Sequence, residues 1–475
     1  MTGVDERGSS VLCRKRSASI HSLPRKDGNY VKVIGGACSE HQQLSEIADS
    51  ITNALATAAQ GEAIQLCGLY LLQCVSSDPS HVLVVARQAI ESYHFQHVPT
   101  HWRRIYEEAS LYRTAALLRV QSDRAQSHAK ARKKYRADGD DSCEAAEDWL
   151  QDVIGILDQA MMFTGAPGRR VIFDMVFSRL QVFATSDDEQ HVGSAFHVHP
   201  IPEIAVKHSM QCVSEPPTLK YFERWIQGVR TPLVIQQAID HWPACQRWQD
   251  PRYLLRKTLG GRRIVPVEMG ESYTSQNWTQ RTMTMKDFMV KYLLPQGPEE
   301  IGYLAQYDLF DQIPALRADV SIPDYCYATA PNVDEESRKT SGLAAALPVD
   351  EPLMHAWLGP KGTKTPLHTD PNHNLFCQVV GYKYVRLYAP HESKCLYPRG
   401  VDDSGINMEN TSGVDVSFLG PEHDAEKLRV KFPLFETAKY QEAVLGPGEM
   451  LYVPLGWWHY VESLTVSFSV SFWWN

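Results

Sequence analysis

The chain has 475 residues, 43% hydrophobic, 22% charged and 10% aromatic, with a formal net charge of −9 and a pI near 6.1. That is long enough for two or more globular domains, and it excludes a chain held to nucleic acid by bulk positive charge. Ten cysteines are dispersed with no CxxC pair, which argues against zinc ribbons and thioredoxin-like sites and for a reducing compartment.

In chain order, "MTGVDERGSSVLCRKR" lacks the apolar core of a secretory signal. The most apolar stretch, "LCGLYLLQCV" (66–75), is too short to cross a bilayer, so an intracellular protein without membrane attachment is expected. Residues 1–30 read as a disordered basic tail. Residues 31–185 read as a helical domain: Leu44, Ile47, Ala48, Ile51 and Leu55 follow one helical face, and Trp102, Ile105, Ala109, Tyr112 and Ala116 repeat the spacing. "DWLQDVIGILDQAMMF" (148–163) and "RVIFDMVFSRLQVF" (170–183) predict two more helices. Residues 122–142, "SDRAQSHAKARKKYRADGDDS", read as a charged loop. Its core, Lys130 to Arg136, and the run Arg14-Lys15-Arg16 are each either a nuclear-import signal or plain solvated chain. The expected location is the nucleus, with a cytoplasmic pool allowed. Residues 186–217, rich in His, Pro and Ser, read as a linker whose histidines are spaced too irregularly for a metal site.

Residues 218–475 change character. Short runs rich in Val, Ile, Tyr and Phe, such as "TPLVIQQ", "RIVPVEM" and "LTVSFSVSFWW", are separated by turns such as "GPKG" and "GPGE". This predicts a sandwich or barrel of short strands. A helix interrupts it at 284–294, and residues 328–350 read as a flexible insertion.

Within this half, "TPLHTDPNHN" (365–374) holds His368 and Asp370 between two prolines. At i and i+2 both side chains can share one face of an extended segment. Alone, the triplet is most simply a surface turn; with His373 it would make a compact zinc site. His459, in "PGEMLYVPLGWWHYV", offers a distant third ligand. Two imidazoles and one carboxylate on one face leave three open positions on an octahedral metal, the donor set of non-haem iron oxygenases. In "LFCQVVGYKYVRLYAP", the odd positions Cys377, Val379, Lys383, Val385 and Leu387 are assigned to one inward face. A buried ammonium needs an anion, either a protein carboxylate or that of a ligand.

"LHTDPNHNLFCQVVGYKYVRLYAP", "GEMLYVPLGWWHYV" and "SFSVSFWW", with "VPVEMG" and "IGYLAQYDLFDQIPALRADVSIPDYC", resemble the jumonji-C (JmjC) class of Fe(II)/2-oxoglutarate oxygenases. The resemblance is strong over 218–475 and weaker in the helical half. It implies an α+β chain, with a helical N-terminal domain before a double-stranded β-helix, the cupin-like jelly roll. It implies Fe(II) held by His368, Asp370 and His459, with dioxygen and 2-oxoglutarate as co-substrates. Lys383 and Thr365 would take the far carboxylate of 2-oxoglutarate, and Tyr303 and Asn374 would line that pocket. Glu268 and Trp357, with Tyr273 and Gln306 as weaker members, match positions of the substrate wall. Trp457, Trp458, Trp473 and Trp474 read as packing or interface residues.

The implied activity is hydroxylation of arginyl residues in a protein or peptide substrate, histone or ribosomal. Alternatives are N-methyl-lysine demethylation by the same chemistry, histone-tail peptidase activity and a non-catalytic chromatin scaffold; a zinc cupin isomerase is a further one. No direct nucleic-acid reading is expected, and oligomeric state is not legible.

Overall fold

The computed structural model describes residues 39–56, 62–94, 97–134, 148–184, 192–196, 204–270, 272–275, 277–331, 351–401, 407–417 and 425–475. The expected tail with Arg14-Lys15-Arg16, the last two residues of the Lys130–Arg136 run and most of the expected 328–350 insertion lie outside the described residues. No described helix is long and apolar enough to cross a membrane.

The N-terminal half packs helices α1 (Glu40–Leu55), α2 (Leu69–Ser77), α3 (Pro79–Glu91), α4 (Thr100–Lys134), α5 (Trp149–Thr164) and α6 (Arg170–Leu180). Ser39 opens α1, its N–H donating to the Gln42 side chain (3.1 Å), and Leu44, Ile47, Ala48, Ile51 and Leu55 form the buried face. Asp148 caps α5, and Gly165 ends it at φ +72°. The expected charged loop at 122–142 is corrected over its first part, because α4 runs unbroken to Lys134. The apolar periodicity stops there, but residues 122–134 contain no Gly or Pro and are dominated by Ala, Lys, Arg and Gln, whose propensity sustains a helix without an apolar stripe.

The C-terminal half is built on strands β1 (Gln211–Val213), β2 (Leu233–Ile235), β3 (Ile264–Met269), β4 (Thr279–Thr284), β5 (Gly302–Tyr307), β6 (Leu353–Gly359), β7 (Lys364–His368), β8 (His373–Val380), β9 (Lys383–Tyr388), β10 (Tyr440–Leu445), β11 (Met450–Val453), β12 (Trp458–Ser463) and β13 (Ser467–Trp474). Among the described residues they form a nine-stranded sheet, β1-β2-β11-β8-β13-β6-β5-β3-β4, facing a four-stranded sheet, β10-β9-β12-β7. This is the expected α+β arrangement, helices followed by a jelly roll. The chain joins the sheet earlier than the linker reading allowed. β1 pairs with β2 in parallel, and Ser209 bridges Glu442.

Three apolar layers follow. The outer face of the large sheet packs on helices through Cys377, Val379, Val470, Phe472 and Trp248. The outer face of the small sheet buries Leu367, Tyr384, Tyr388 and Tyr460. Between the sheets lie Tyr303, Trp357, Phe376, Val385, Leu387, Leu451 and Val461. In "SFSVSFWW" Phe468, Phe472 and Trp474 point outward, whereas Trp473 shares the serines' face and packs on His355 (ring centres 5.0 Å apart). The serines face the lumen: Ser471 accepts from Trp357 Nε1 (2.8 Å), and Ser469 donates to Gln378 (2.7 Å). Small side chains there keep the interior from filling.

This layering corrects the single inward face assigned across 377–387. Cys377 and Val379 point to the outer core, whereas Lys383, Val385 and Leu387 point to the lumen with Asn374 and Phe376. β8 and β9 belong to opposite sheets. The turn between them passes Gly381 at φ +71°, where a Cβ would fall 1.9 Å from the Val466 carbonyl oxygen. Crossing from sheet to sheet resets the phase, and β8 is buried on both faces, so alternation could not reveal it.

The helical half is fastened to β3 by a buried clamp. Arg263 Nε and Nη2 meet Asp158 of α5 at 2.7–3.0 Å, and Ile264 N–H and Gln312 Nε2 complete the carboxylate's partners. The guanidinium lies 3.7 Å from the Phe177 ring centre. A buried ion pair with its remaining lone pairs satisfied holds its geometry well.

Candidate active site

β7 ends at His368 and β12 begins beside His459, and the two residues face each other in antiparallel register. Asp370 follows β7 between Thr369 and Pro371. Its Oδ1 lies 3.4 Å from His368 Nε2 and its Oδ2 lies 3.4 Å from His459 Nε2. All three residues are buried, and their donor atoms lie within 4.8 Å of one another. Each Nδ1 is committed to a main-chain carbonyl, His368 to Pro366 (2.8 Å) and His459 to Trp457 (3.1 Å). A carbonyl only accepts, so Nδ1 carries the proton and each Nε2 lone pair is left for a cation. Burial pushes the Asp370 carboxyl up, but the two imidazoles outweigh it and hold it well below the usual carboxylate range. Burial likewise opposes charge on His368, and the hydrogen bond with Asp370 prevails and raises it. The donor set fits a divalent metal of the nitrogen- and oxygen-binding kind. His373 is not part of it: Tyr452 Oη and Leu455 N–H reach its Nδ1 on the other face of β8.

Farther down the lumen, Lys383 has no solvent exposure. Its Nζ donates to Tyr303 Oη (3.2 Å) and lies 5.4 and 5.2 Å from the Tyr303 and Phe376 ring centres. No carboxylate of the described residues pairs with it, and burial alone pulls its pKa down to about 7. The protein-carboxylate alternative is thus removed among the described residues. Burial raises the Tyr303 hydroxyl, while Thr365 hydrogen-bonds it in the opposing sense. Asn374 Oδ1 is buried without a partner. Tyr303, Thr365, Asn374 and the three candidate ligands line one narrow cavity, walled by Val385, Leu387, Leu451, Val453 and Val461. A buried acceptor on the cavity wall, and beside Tyr303 an ammonium without a counter-ion among the described residues, are costly unless a ligand completes them.

The substrate-wall residues are brought together unequally. Trp357 lines the cavity, its ring 6.1 Å from that of Tyr303. Glu268 lies opposite Tyr303 in the β3–β5 register on the face away from the outer core. Burial raises its carboxyl against a hydrogen bond from Trp278. Tyr273 reaches Thr411 (3.4 Å) and feels the charge of Asp370 and Glu268. Gln306 is exposed at a β5 bulge with φ +44° and lies outside the cavity lining. Sequence reasoning missed His355. It stands two residues before Trp357 on β6, so the alternation was there to read. Its Nδ1 is buried without a partner, and burial lowers its pKa to about 4 against the pull of Asp370.

A model of the cupin-like domain matches residues 219–475, more than half of the chain. The chain belongs to the cupin-like JmjC family. This JmjC protein is 43% identical over 259 residues to lysine-specific demethylase 8 of Xenopus tropicalis, covering 54% of this chain and 51% of that one. It is 39% identical over 283 residues to the Danio rerio protein of the same name (57% and 62%). It is 41% identical over 264 residues to Jumonji C domain-containing protein 5 of Drosophila melanogaster (55% and 59%). The chain thus spans between half and two thirds of the length of these relatives. The matched segment is the cupin-like half that carries the triad and Lys383.

Proposed function

We propose that this JmjC protein is an Fe(II)- and 2-oxoglutarate-dependent protein oxygenase. One observation carries the reading: a three-ligand face with tautomers fixed for metal binding lines one cavity with Tyr303, and the Tyr303 hydroxyl accepts from a buried ammonium lacking any described counter-ion. The chemistry that a ferrous ion and 2-oxoglutarate supply when bound is oxidative: one atom of dioxygen goes to succinate as the keto acid loses carbon dioxide, and the other enters an aliphatic C–H bond.

The residues divide the remaining work. His368, Asp370 and His459 hold the ion on one face and leave the opposite positions open. Lys383, with Tyr303 and Thr365, takes the far carboxylate of the diacid, and Asn374 supplies a further polar contact. Val385, Leu387, Leu451, Val453 and Val461 keep water from the chamber, which strengthens every charge interaction inside it. Glu268 and Trp357 offer a carboxylate and an aromatic face to a cationic side chain.

The names of the relatives favour N-methyl-lysine demethylation, in which the hydroxylated methyl leaves as formaldehyde. Arginyl hydroxylation is the second reading, favoured by the Glu268 carboxylate beside an aromatic wall. Either makes the substrate a protein or peptide, of histone or ribosomal type; a nuclear location follows for the former and is checked by imaging the tagged full chain. The test is turnover of purified protein with iron, ascorbate and 2-oxoglutarate on methyl-lysine and arginine peptides. Mass spectrometry reads a lost methyl or a gained oxygen. Succinate release without either product on any peptide, or no succinate at all, refutes the protein-oxygenase reading, and the latter favours a scaffold.

A further inference from the structure

At the end of the barrel where the triad sits, a second depression of about 950 Å³ runs along the rim. Its lining includes Thr369, between the two early ligands, and Trp457 and Trp458, immediately before His459. One wall carries Arg230 and the other Arg399. Both are exposed, and both are held by main-chain carbonyls. Arg230 Nε donates to Gln227 O (3.0 Å) and Arg399 Nε to Ser412 O (3.0 Å). Neither pairs with a carboxylate of the described residues. Arg230 also sits at φ +56°, a left-handed conformation that favours glycine and costs an arginine roughly 1 kcal/mol. Glu409 is the carboxylate on the described lining, and Asn407 Nδ2 already donates to it (3.2 Å). His391 adds no opposing charge. Two guanidiniums, neither paired with a carboxylate of the described residues, therefore line one cleft at the end of the barrel that carries the triad.

We propose that this cleft holds the substrate chain beside the target residue, and that Arg230 and Arg399 pair with an acidic side chain flanking the target. The inference rests on the oxygenase reading and narrows its substrate class. An uninterrupted basic tail meets like charge here, whereas a basic target residue followed or preceded by Asp or Glu is complementary.

The test uses the full chain with iron, ascorbate and 2-oxoglutarate. The probes are short peptides with a fixed central N-methyl-lysine or arginine, differing only in Glu, Gln or Lys at each flanking position. At one or more positions Glu should raise kcat/KM over Gln by about three- to tenfold, with the gain lost at high salt. Arg230→Gln should erase that gain, and Arg230→Glu should reverse it in favour of Lys, a change of sign that mere structural damage does not produce. Arg399→Lys retains the charge and should keep most of the gain. Peptide-independent turnover of 2-oxoglutarate should be unchanged in all three. Peptides turned over without an acidic preference, or with one that Arg230→Glu leaves intact, overturn the cleft assignment and leave the oxygenase standing. No modification of any peptide overturns the oxygenase reading and the cleft with it.

Discussion

Replacing Lys383 by methionine keeps the side chain's length and removes its charge. In the ligand-free protein the fall of the Lys383 pKa from 10.5 to about 7 corresponds to about 5 kcal/mol of unfavourable charging. Between those two values the unfolded chain binds a proton that the folded one lacks. Stability without co-substrate therefore rises with pH across that window and is lowest below pH 7. Lys383→Met should abolish this slope and raise the thermal midpoint at pH 7 by several degrees, for a gain on the order of 2–4 kcal/mol. The same change should weaken 2-oxoglutarate binding by about 10²-fold or more, because it removes one partner of a buried charge pair. In the parent, binding restores the proton, so affinity should fall by up to about tenfold per pH unit above 7. Calorimetry in buffers of different ionisation enthalpy should detect proton uptake at pH 8 that the variant lacks. A variant that melts lower than the parent at pH 7, or binds the diacid equally well, would refute the assignment.

His368→Ala and Asp370→Ala should each stop 2-oxoglutarate consumption and lower ferrous-ion binding by more than the roughly 10–100-fold that loss of a supporting hydrogen bond costs. Circular dichroism should stay unchanged. Glu268→Gln should raise the KM for a cationic peptide by about tenfold while peptide-independent turnover persists; equal loss of both would move Glu268 from the substrate wall to the co-substrate pocket. Asp158→Ala leaves the Arg263 guanidinium buried without its partner and should destabilise the chain by about 3–5 kcal/mol in denaturant unfolding. The paired change of Asp158→Leu with Arg263→Met should recover most of that loss; failure to recover would mean that the clamp carries more than the charge pair.

Much of the site was legible because its chemistry is local. The spacing of His368 and Asp370 between prolines, and the turn leading to His459, are properties of short segments, and the structure brings them together as expected. Lys383 was assigned inward correctly but from a faulty premise, since Cys377 and Val379 share its parity and not its face. Gln306 carried a motif match, yet a bulge turned its side chain outward. The charged end of α4 was misread because hydrophobic periodicity reports a buried face, and a helix without one leaves only weak propensity as its signal. His355 went unremarked because its meaning depends on Asp370 and on an unpartnered nitrogen, neither of which is a sequence neighbour.

The sequence alone determined which imidazoles, carboxylates and ammonium are available to a site, and that short strands follow a helical half. Composition, turn residues and spacing act over a few residues and need no partner to be read. Only the tertiary structure decided which strands face each other, that the ammonium of Lys383 has no described counter-ion, that Asp158 and Arg263 join the two halves, and that Arg230 and Arg399 share a rim. Those are facts about distance between segments far apart in the chain, and the two-sided burial of strands such as β8 erases the alternation that would have announced them.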